Sequence, residues 1–359
     1  MGIWLELFLA LFLSSAFSWW LIPIAWKLKL VDQPCERKLH NGNIPLVGGI
    51  SVFLSTIIVF YISFDPSEVI ILFIIAAACM VTIGVLDDRY DLSVMSRIFS
   101  QLLVASVIVF GAGTYIDNIG NLIGTGDINL NFWGMPFTLL AIMAAMNAYN
   151  MVDGIDGLLG ALATISFIGI ALLGITHSQT FTVNAALIIA CAIVPFLMRN
   201  TGFPVKSARK IFMGDAGSMF IGLAIVWLLA LLTAPEHIGD SGESVRPVSV
   251  LWLIAVPLMD MFAIMFRRIQ KGQSPFRPDR EHLHHLFMRA GFSERQALAV
   301  ISGFASVLVL IGLLLEILIV PEPIVALLFI AMFACYCLML SRAWRIVSWW
   351  RRLAGVERS

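Results

Sequence analysis

Lysine and arginine fall in short segments between long apolar runs, and that alternation constrains this chain more than any other feature. A helix needs roughly 20 apolar residues to cross the hydrocarbon core of a bilayer. Runs of that kind lie at 3–26, 46–64, 68–86, 98–116, 133–149, 157–175, 182–199, 213–233, 249–267, 296–319 and 322–341, about eleven in all. With the first end external and the runs alternating, every one of the 23 basic residues except Arg246 occupies an internal segment. The positive-inside tendency therefore supports both the count and the orientation. The expected fold is an all-α integral membrane protein with about eleven transmembrane helices, a single polytopic domain over residues 1–359. Its N-terminus is expected in the periplasm and its C-terminus in the cytoplasm. The first run carries one early charge, Glu6, and its positive flank follows the run, so it reads as a retained helix rather than a cleaved signal.

Composition agrees. Hydrophobic residues make up 60% of the chain and charged residues 13%, against roughly 45–50% and about 25% in soluble domains. A soluble enzyme, a nucleic-acid-binding domain and a disordered chain are excluded on that ground. The formal net charge is zero, so bulk electrostatics point to no partner. The cysteines Cys35, Cys79, Cys191, Cys335 and Cys337 lack metal-type spacing, and four sit in apolar runs as small hydrophobes. Two loops stand out. The external loop near 117–132 has the makings of a small hairpin around Gly-Thr-Gly-Asp. The internal loop near 268–295 carries an amphipathic stretch from His282 to Arg289, then Ser293-Glu-Arg-Gln296, which resembles a capping box.

Ionisable groups at membrane depth are expensive and ask for a reason. Asp87, Asp88 and Asp91 end the third run internally. On a continuing helix they would share neighbouring faces, and their mutual repulsion would be relieved by a divalent cation or a polar ligand. A solvated helix end paired with Arg89 is the plainer reading. Asn147, Asn150 and Asp153 follow at steps of three, with Asp156 beyond. Gly154 and Gly157 would stop that helix and admit a ligand close to the backbone; a capped turn would look the same. Phe212-Met-Gly-Asp215-Ala-Gly-Ser218 opens the eighth run, as a metal or phosphate position or as a simple N-cap. In Asp279-Arg280-Glu-His282-Leu-His284-His285, a helix would put His282, His285 and Arg289 on one side, suited to phosphates. Zinc competes there, without cysteine support. Asp260, roughly 10 Å inside the ninth run at 1.5 Å per residue, calls for an arginine or another helix as partner. It is not read as catalytic.

Four polar clusters, far apart in sequence, thus fall on the face that lysine and arginine mark as internal. One shared site follows, with carboxylates for a cation and cationic groups for an anion, as metal-assisted phosphoryl transfer requires.

Those strings, in that order, resemble the polyprenyl-phosphate N-acetylhexosamine-1-phosphate transferases. The first internal loop, with Asp32-Gln-Pro34, Arg37-Lys38-Leu-His40 and Ile44-Pro45-Leu-Val-Gly48-Gly49, is similar too. Leu258-Met-Asp260-Met and Ser274-Pro-Phe-Arg-Pro278-Asp279-Arg280 look more like the bacterial undecaprenyl-phosphate GlcNAc-1-phosphate branch than the muramyl-pentapeptide branch. The resemblance covers nearly the whole chain. It implies transfer of GlcNAc-1-phosphate from UDP-GlcNAc to undecaprenyl phosphate with release of UMP, at the cytoplasmic face of the inner membrane. It also implies the start of O-antigen or enterobacterial common-antigen assembly, with Mg²⁺ as cofactor and Mn²⁺ accepted. By resemblance, Asp215 and Asn150 would hold the metal, and Asp87, Asp88 and Asp91 form the catalytic cluster. Asn147, Asp153, Asp156, Arg280, His282, His284 and His285 would bind substrate. An intramembrane prenyltransferase would want two Asp-rich motifs, and only Asp87–Asp91 qualifies. A transporter would spread its charges through the midplane and show repeated halves.

Overall fold

The computed structural model describes residues 2–33, 42–202, 210–275 and 282–342. Arg280, Asp279, Cys35 and the Arg37-Lys38-Leu-His40 stretch, all singled out above, lie outside the described residues.

The chain is an all-α integral membrane protein. Its helices are α1 (Ile3–Leu28), α2 (Gly48–Ser63), α3 (Glu68–Tyr90), α4 (Val94–Ser106, continued by a π turn over Val107–Gly111), α5 (Gly134–Val152), α6 (Leu158–Thr176), α7 (Thr180–Thr201) and α8 (Gly214–Thr233). Then follow the single turn α9 (Pro247–Val250), α10 (Ala255–Gln270), the short α11 (Leu283–Arg289), α12 (Glu294–Ile317) and α13 (Glu322–Ser341). Among the described residues, 10 helical segments are long and apolar enough to cross a bilayer, the eighth uniting α9 and α10. The run expected at 46–64 forms α2, which at 16 residues falls short of that length. A two-stranded antiparallel ladder, β1 (Val31–Asp32) with β2 (Ile44–Pro45), is the sheet among the described residues.

Local chemistry sets the helix ends. Ser67, Ser93 and Ser293 accept from backbone amides as N-caps, and Ser293 with Gln296 completes the expected capping box. The loop at 117–132 is hairpin-like, with Ile119 N donating to Ile128 O at 3.1 Å and a bridge between Asn118 and Asn129.

α8 is the axis of the bundle. Nearly all its side chains are buried, with α3 and α5 packed along it, and the Phe73 and Trp227 rings stack at 3.9 Å. α1, α12 and α13 instead leave Trp4, Trp19, Trp20, Leu310, Leu327 and Ile330 exposed. Apolar surface of that extent would be a liability in water and suits contact with lipid. Serines tie the outer helices inward, with Ser14 Oγ donating to Ala192 O and Ser55 Oγ to Ala10 O. Arg246, the exception to the basic pattern, donates to Glu316 Oε2 at 2.8 Å and to the carbonyls of Leu315, Glu316 and Val320. The cation satisfies a buried carboxylate and the orphan carbonyls at the end of α12.

Close backbone approach places the polar end of α8. A Cβ on Gly84 of α3 would collide with the backbone of Ala216, and one on Gly49 of α2 with Gly217. Gly48 N donates to Phe212 O at 2.9 Å and Gly49 N to Met213 O at 3.0 Å. The Ile44–Gly49 motif is therefore a cradle for the start of α8. Gly84→Ala should overpack this junction and destabilise the protein by about 1–3 kcal/mol. Gly303→Ala, where a Cβ meets nothing within 4 Å, should be neutral or slightly stabilising. Thermal unfolding of both variants in one detergent checks this, and equal unfolding temperatures would remove the constraint.

Candidate active site

The junction of α3 with α8 brings carboxylates together. Gly84 lets α3 run against α8, and Asp87 and Asp88 follow one turn later. Asp88 Oδ1 accepts from Asp215 N at 2.8 Å and its Oδ2 from Ala216 N at 3.3 Å, so Asp88 caps a helix other than its own. Asp87 is buried; it accepts from Leu92 N at 2.8 Å and from Arg97 Nη1 at 3.3 Å. Asp215 lies against both as an electrostatic neighbour, and its Oδ2 is 4.0 Å from Arg97. Asp91 separates from the group. It takes a left-handed φ of 50° as the C-cap of α3, its side chain exposed. The helix does not continue to Asp91, so the neighbouring faces expected for the three aspartates hold for Asp87 and Asp88 alone.

α5 supplies the amides. Asn150 Nδ2 donates to Asp215 Oδ1 at 2.6 Å and to Ser218 Oγ at 2.9 Å. Asn147, one turn deeper, donates to Gln101 Oε1 at 2.9 Å and to Met143 O at 2.8 Å, linking α5 to α4 rather than to the carboxylates. Asp153 caps α5 and is exposed. Asp156 pairs with Lys210 at 2.5 Å, and that ammonium also lies 5.1 Å above the Phe212 ring.

The histidines pack on the turn that follows α5. His282 is the N-cap of α11 and not part of it; its Nδ1 donates to Asp260 Oδ2 at 2.8 Å. It therefore does not share a helical side with His285 and Arg289 as the spacing suggested. Its ring stacks on His284 at 5.8 Å and 6°, and His285 lies 4.2 Å from His284. His284 is buried with Nε2 unpartnered. It is pressed on Gly154, where a Cβ would collide with the imidazole. Burial, then the charges of His285 and His282, push its pKa down to about 3 against the pull of Asp260, so the ring is neutral near pH 7.

Residues 70–233 match the family described as glycosyl transferase family 4. The chain is 41% identical over 346 residues to an undecaprenyl-phosphate alpha-N-acetylglucosaminyl 1-phosphate transferase of Pasteurella multocida, covering 96% of this chain and 95% of that one. Proteins of the same name from Haemophilus influenzae and Escherichia coli K12 are 40% identical over 331 residues and 41% over 341. They cover 92% and 95% of this chain, and 92% and 91% of their own. The chain belongs to the polyprenyl-phosphate N-acetylhexosamine-1-phosphate transferases.

For this family member a hard divalent cation is the implied cofactor. Among the described residues no three His, Cys, Asp or Glu side chains form a metal cage. Mg²⁺ rarely uses one, taking one or two carboxylates and completing its shell with water and substrate phosphate. The Asp215 carboxylate and the Asn150 side-chain amide, at the facing ends of α8 and α5, offer oxygen ligands of that kind with Asp87 of α3 beside them, and that set fits.

Sequence reasoning missed Arg97 as a site residue, along with Gln101 and Lys210. A signal for Arg97 was present: Ser93 caps a helix separated from α3 by three residues, folding Arg97 back toward Asp87.

The buried His284 makes stability depend on pH. Its imidazole has an ordinary value of 6.5 and in the folded protein about 3, so between these the unfolded chain takes a proton that the folded one refuses. This stability is whole above about pH 6.5 and falls as pH drops toward 3. The unfolding temperature should therefore fall between about pH 7 and about pH 5, and less steeply in His284→Gln. Equal slopes would remove His284 as the cause.

Proposed function

We propose that this chain transfers GlcNAc-1-phosphate from UDP-GlcNAc to undecaprenyl phosphate at the cytoplasmic face of the bacterial inner membrane. The products are undecaprenyl-diphospho-GlcNAc and UMP, the first step of a lipid-linked glycan such as O-antigen or enterobacterial common antigen. The observation that carries this reading is the meeting of Asp87, Asp88, Asp215, Asn150 and Arg97 at one polar end of a lipid-facing bundle. The names of the relatives support the acceptor and the transferred group.

In the transfer, a lipid phosphate oxygen forms a bond to the phosphorus that carries the sugar. The bridging bond to UMP breaks, and UMP leaves with the electron pair. The nucleophile has a second pKa of about 6, so near neutral pH it is largely ionised already. Asp87 has its oxygens engaged by Leu92 N and Arg97. That arrangement suits a charge that positions the lipid head, not a base that seeks a proton. Mg²⁺, with Mn²⁺ as substitute, would be held by Asp215 and Asn150 and would neutralise charge between the two anionic substrates. Asp88 keeps Asp215 in place through the backbone. His284 offers a neutral ring nitrogen beside Gly154 for a substrate hydrogen bond, and Asp156 with Lys210 borders the same loop. The apolar flanks of the outer helices accommodate the prenyl chain.

Purified protein should release UMP only when UDP-GlcNAc and undecaprenyl phosphate are both present; release with either alone, or none with both, overturns the reading. Asp215→Asn keeps shape and removes charge, so turnover should drop by about 100-fold or more. Near-normal activity with unchanged Mg²⁺ dependence would take Asp215 out of this role.

The loss in Asp87→Asn should be flat with pH above about 6, where the lipid phosphate is ionised. A steep recovery of kcat with rising pH, absent from the parent, would make Asp87 a base instead.

A further inference from the structure

Asp260 is a buried carboxylate that the proposed chemistry does not use. It lies in α10, within a segment apolar enough to cross a bilayer, and is 2% exposed. A carboxylate there must be fully satisfied or it destabilises the fold. Three donors satisfy it. His282 Nδ1 donates to Oδ2 at 2.8 Å, and Leu283 N to Oδ1 at 3.2 Å. The Tyr336 hydroxyl donates to Oδ1 at 2.7 Å.

The identity of these donors matters. Two belong to the start of the histidine motif, and the third comes from α13, a helix that otherwise buries only Val325 and Leu340. A purely structural tie between α10 and α13 needs no charge, since buried ion pairs are commonly replaced by apolar packing without loss. The carboxylate instead fixes one imidazole, because an acceptor of this kind leaves His282 with its proton on Nδ1 and its ring plane set. From that ring the order passes on by contact, through the stacked His284 to Gly154 in the turn after Asn150.

We infer that Asp260 and Tyr336 are positioning residues, which orient the His282–His285 motif against the Asn150–Asp156 turn and so act on turnover from outside the reacting atoms. The inference rests on the proposed transferase reading, which gives the histidines a substrate to meet. It also assigns α13, far from the carboxylates in sequence, a part in the site.

Asp260→Ala leaves a cavity and unpaired donors, and loss of its fold would decide nothing; Asp260→Asn and Tyr336→Phe keep the shape. Three properties are measured in the full chain: kcat with the KM for UDP-GlcNAc, the unfolding temperature, and amide hydrogen exchange over residues 282–289. Asp260→Asn should lose about 10-fold to 100-fold in kcat, the usual cost of removing the group that orients a functional histidine. Tyr336→Phe should lose several-fold. In both, the unfolding temperature should stay near that of the parent, KM should change less than kcat, and exchange over 282–289 should quicken. A kcat for Asp260→Asn within twofold of the parent would overturn the inference. So would a loss that tracks the unfolded fraction, or exchange that does not change. A parent that releases no UMP from UDP-GlcNAc would overturn the function reading instead, and the exchange comparison would still decide whether Asp260 and Tyr336 hold the motif.

Discussion

Asp88 directs both carboxylate oxygens at the first backbone amides of α8, and much of the site's geometry depends on that junction. The first amides of a helix have no partner within it, and the N-terminal dipole favours a negative group beside them. Capping usually comes from a residue adjacent in sequence. Here it comes from α3, so one interaction satisfies the helix end, pins α3 to α8, and holds Asp215 next to Asp87. Glycine makes this possible, since a Cβ on Gly84 would keep the two backbones apart.

The same junction explains how an apolar bundle can carry charge at one end. Backbone hydrogen bonds are closed within helices along the bilayer-facing length, as a membrane demands. Some of the irregular backbone on the internal side is covered or lines the site. The β1–β2 ladder, the Phe212–Met213 stretch and the turn after α5 are such places. Small residues at the contacts bring these segments into reach of one another.

Much of the fold was legible in advance because hydrophobic length and basic segregation act on whole segments. The apolar runs reappear as helices, with α2 shorter than its run and α10 preceded by a broken first turn. The site was legible as a set of motifs and less so as a set of partners. Asp91 was grouped with Asp87 because spacing on a continuing helix was the only available geometry, and the left-handed cap that ends α3 removed it. Asp260 was expected to find an arginine or another helix. Another helix does reach it, through Tyr336 of α13, and a histidine stands where the arginine was expected, since which group reaches a buried carboxylate is decided by tertiary packing and not by depth. Arg97 escaped notice for a related reason. A lone arginine in an internal segment counts equally well as a topology signal, and only the reversal of the chain between α3 and α4 shows what it faces.

Charge balance at the cluster links this architecture to its chemistry. Asp87, Asp88 and Asp215 lie within one another's field, and among the described residues the cation paired with them is Arg97. Asp88 is further compensated by two backbone amides and Asp215 by the Asn150 amide. Negative charge remains in excess, on a surface that in the proposed reaction must receive two anionic phosphates. Like charges at such separations repel by several kcal/mol when water is partly excluded. An arginine fixed on α4 can hold the carboxylates in register but cannot bridge them to both substrates at once. A small hard cation with exchangeable ligands can do so, since it takes oxygens from protein and phosphate together. The excess carboxylate charge would repel the anionic substrates in the absence of a cation and provides a reason for one to bind.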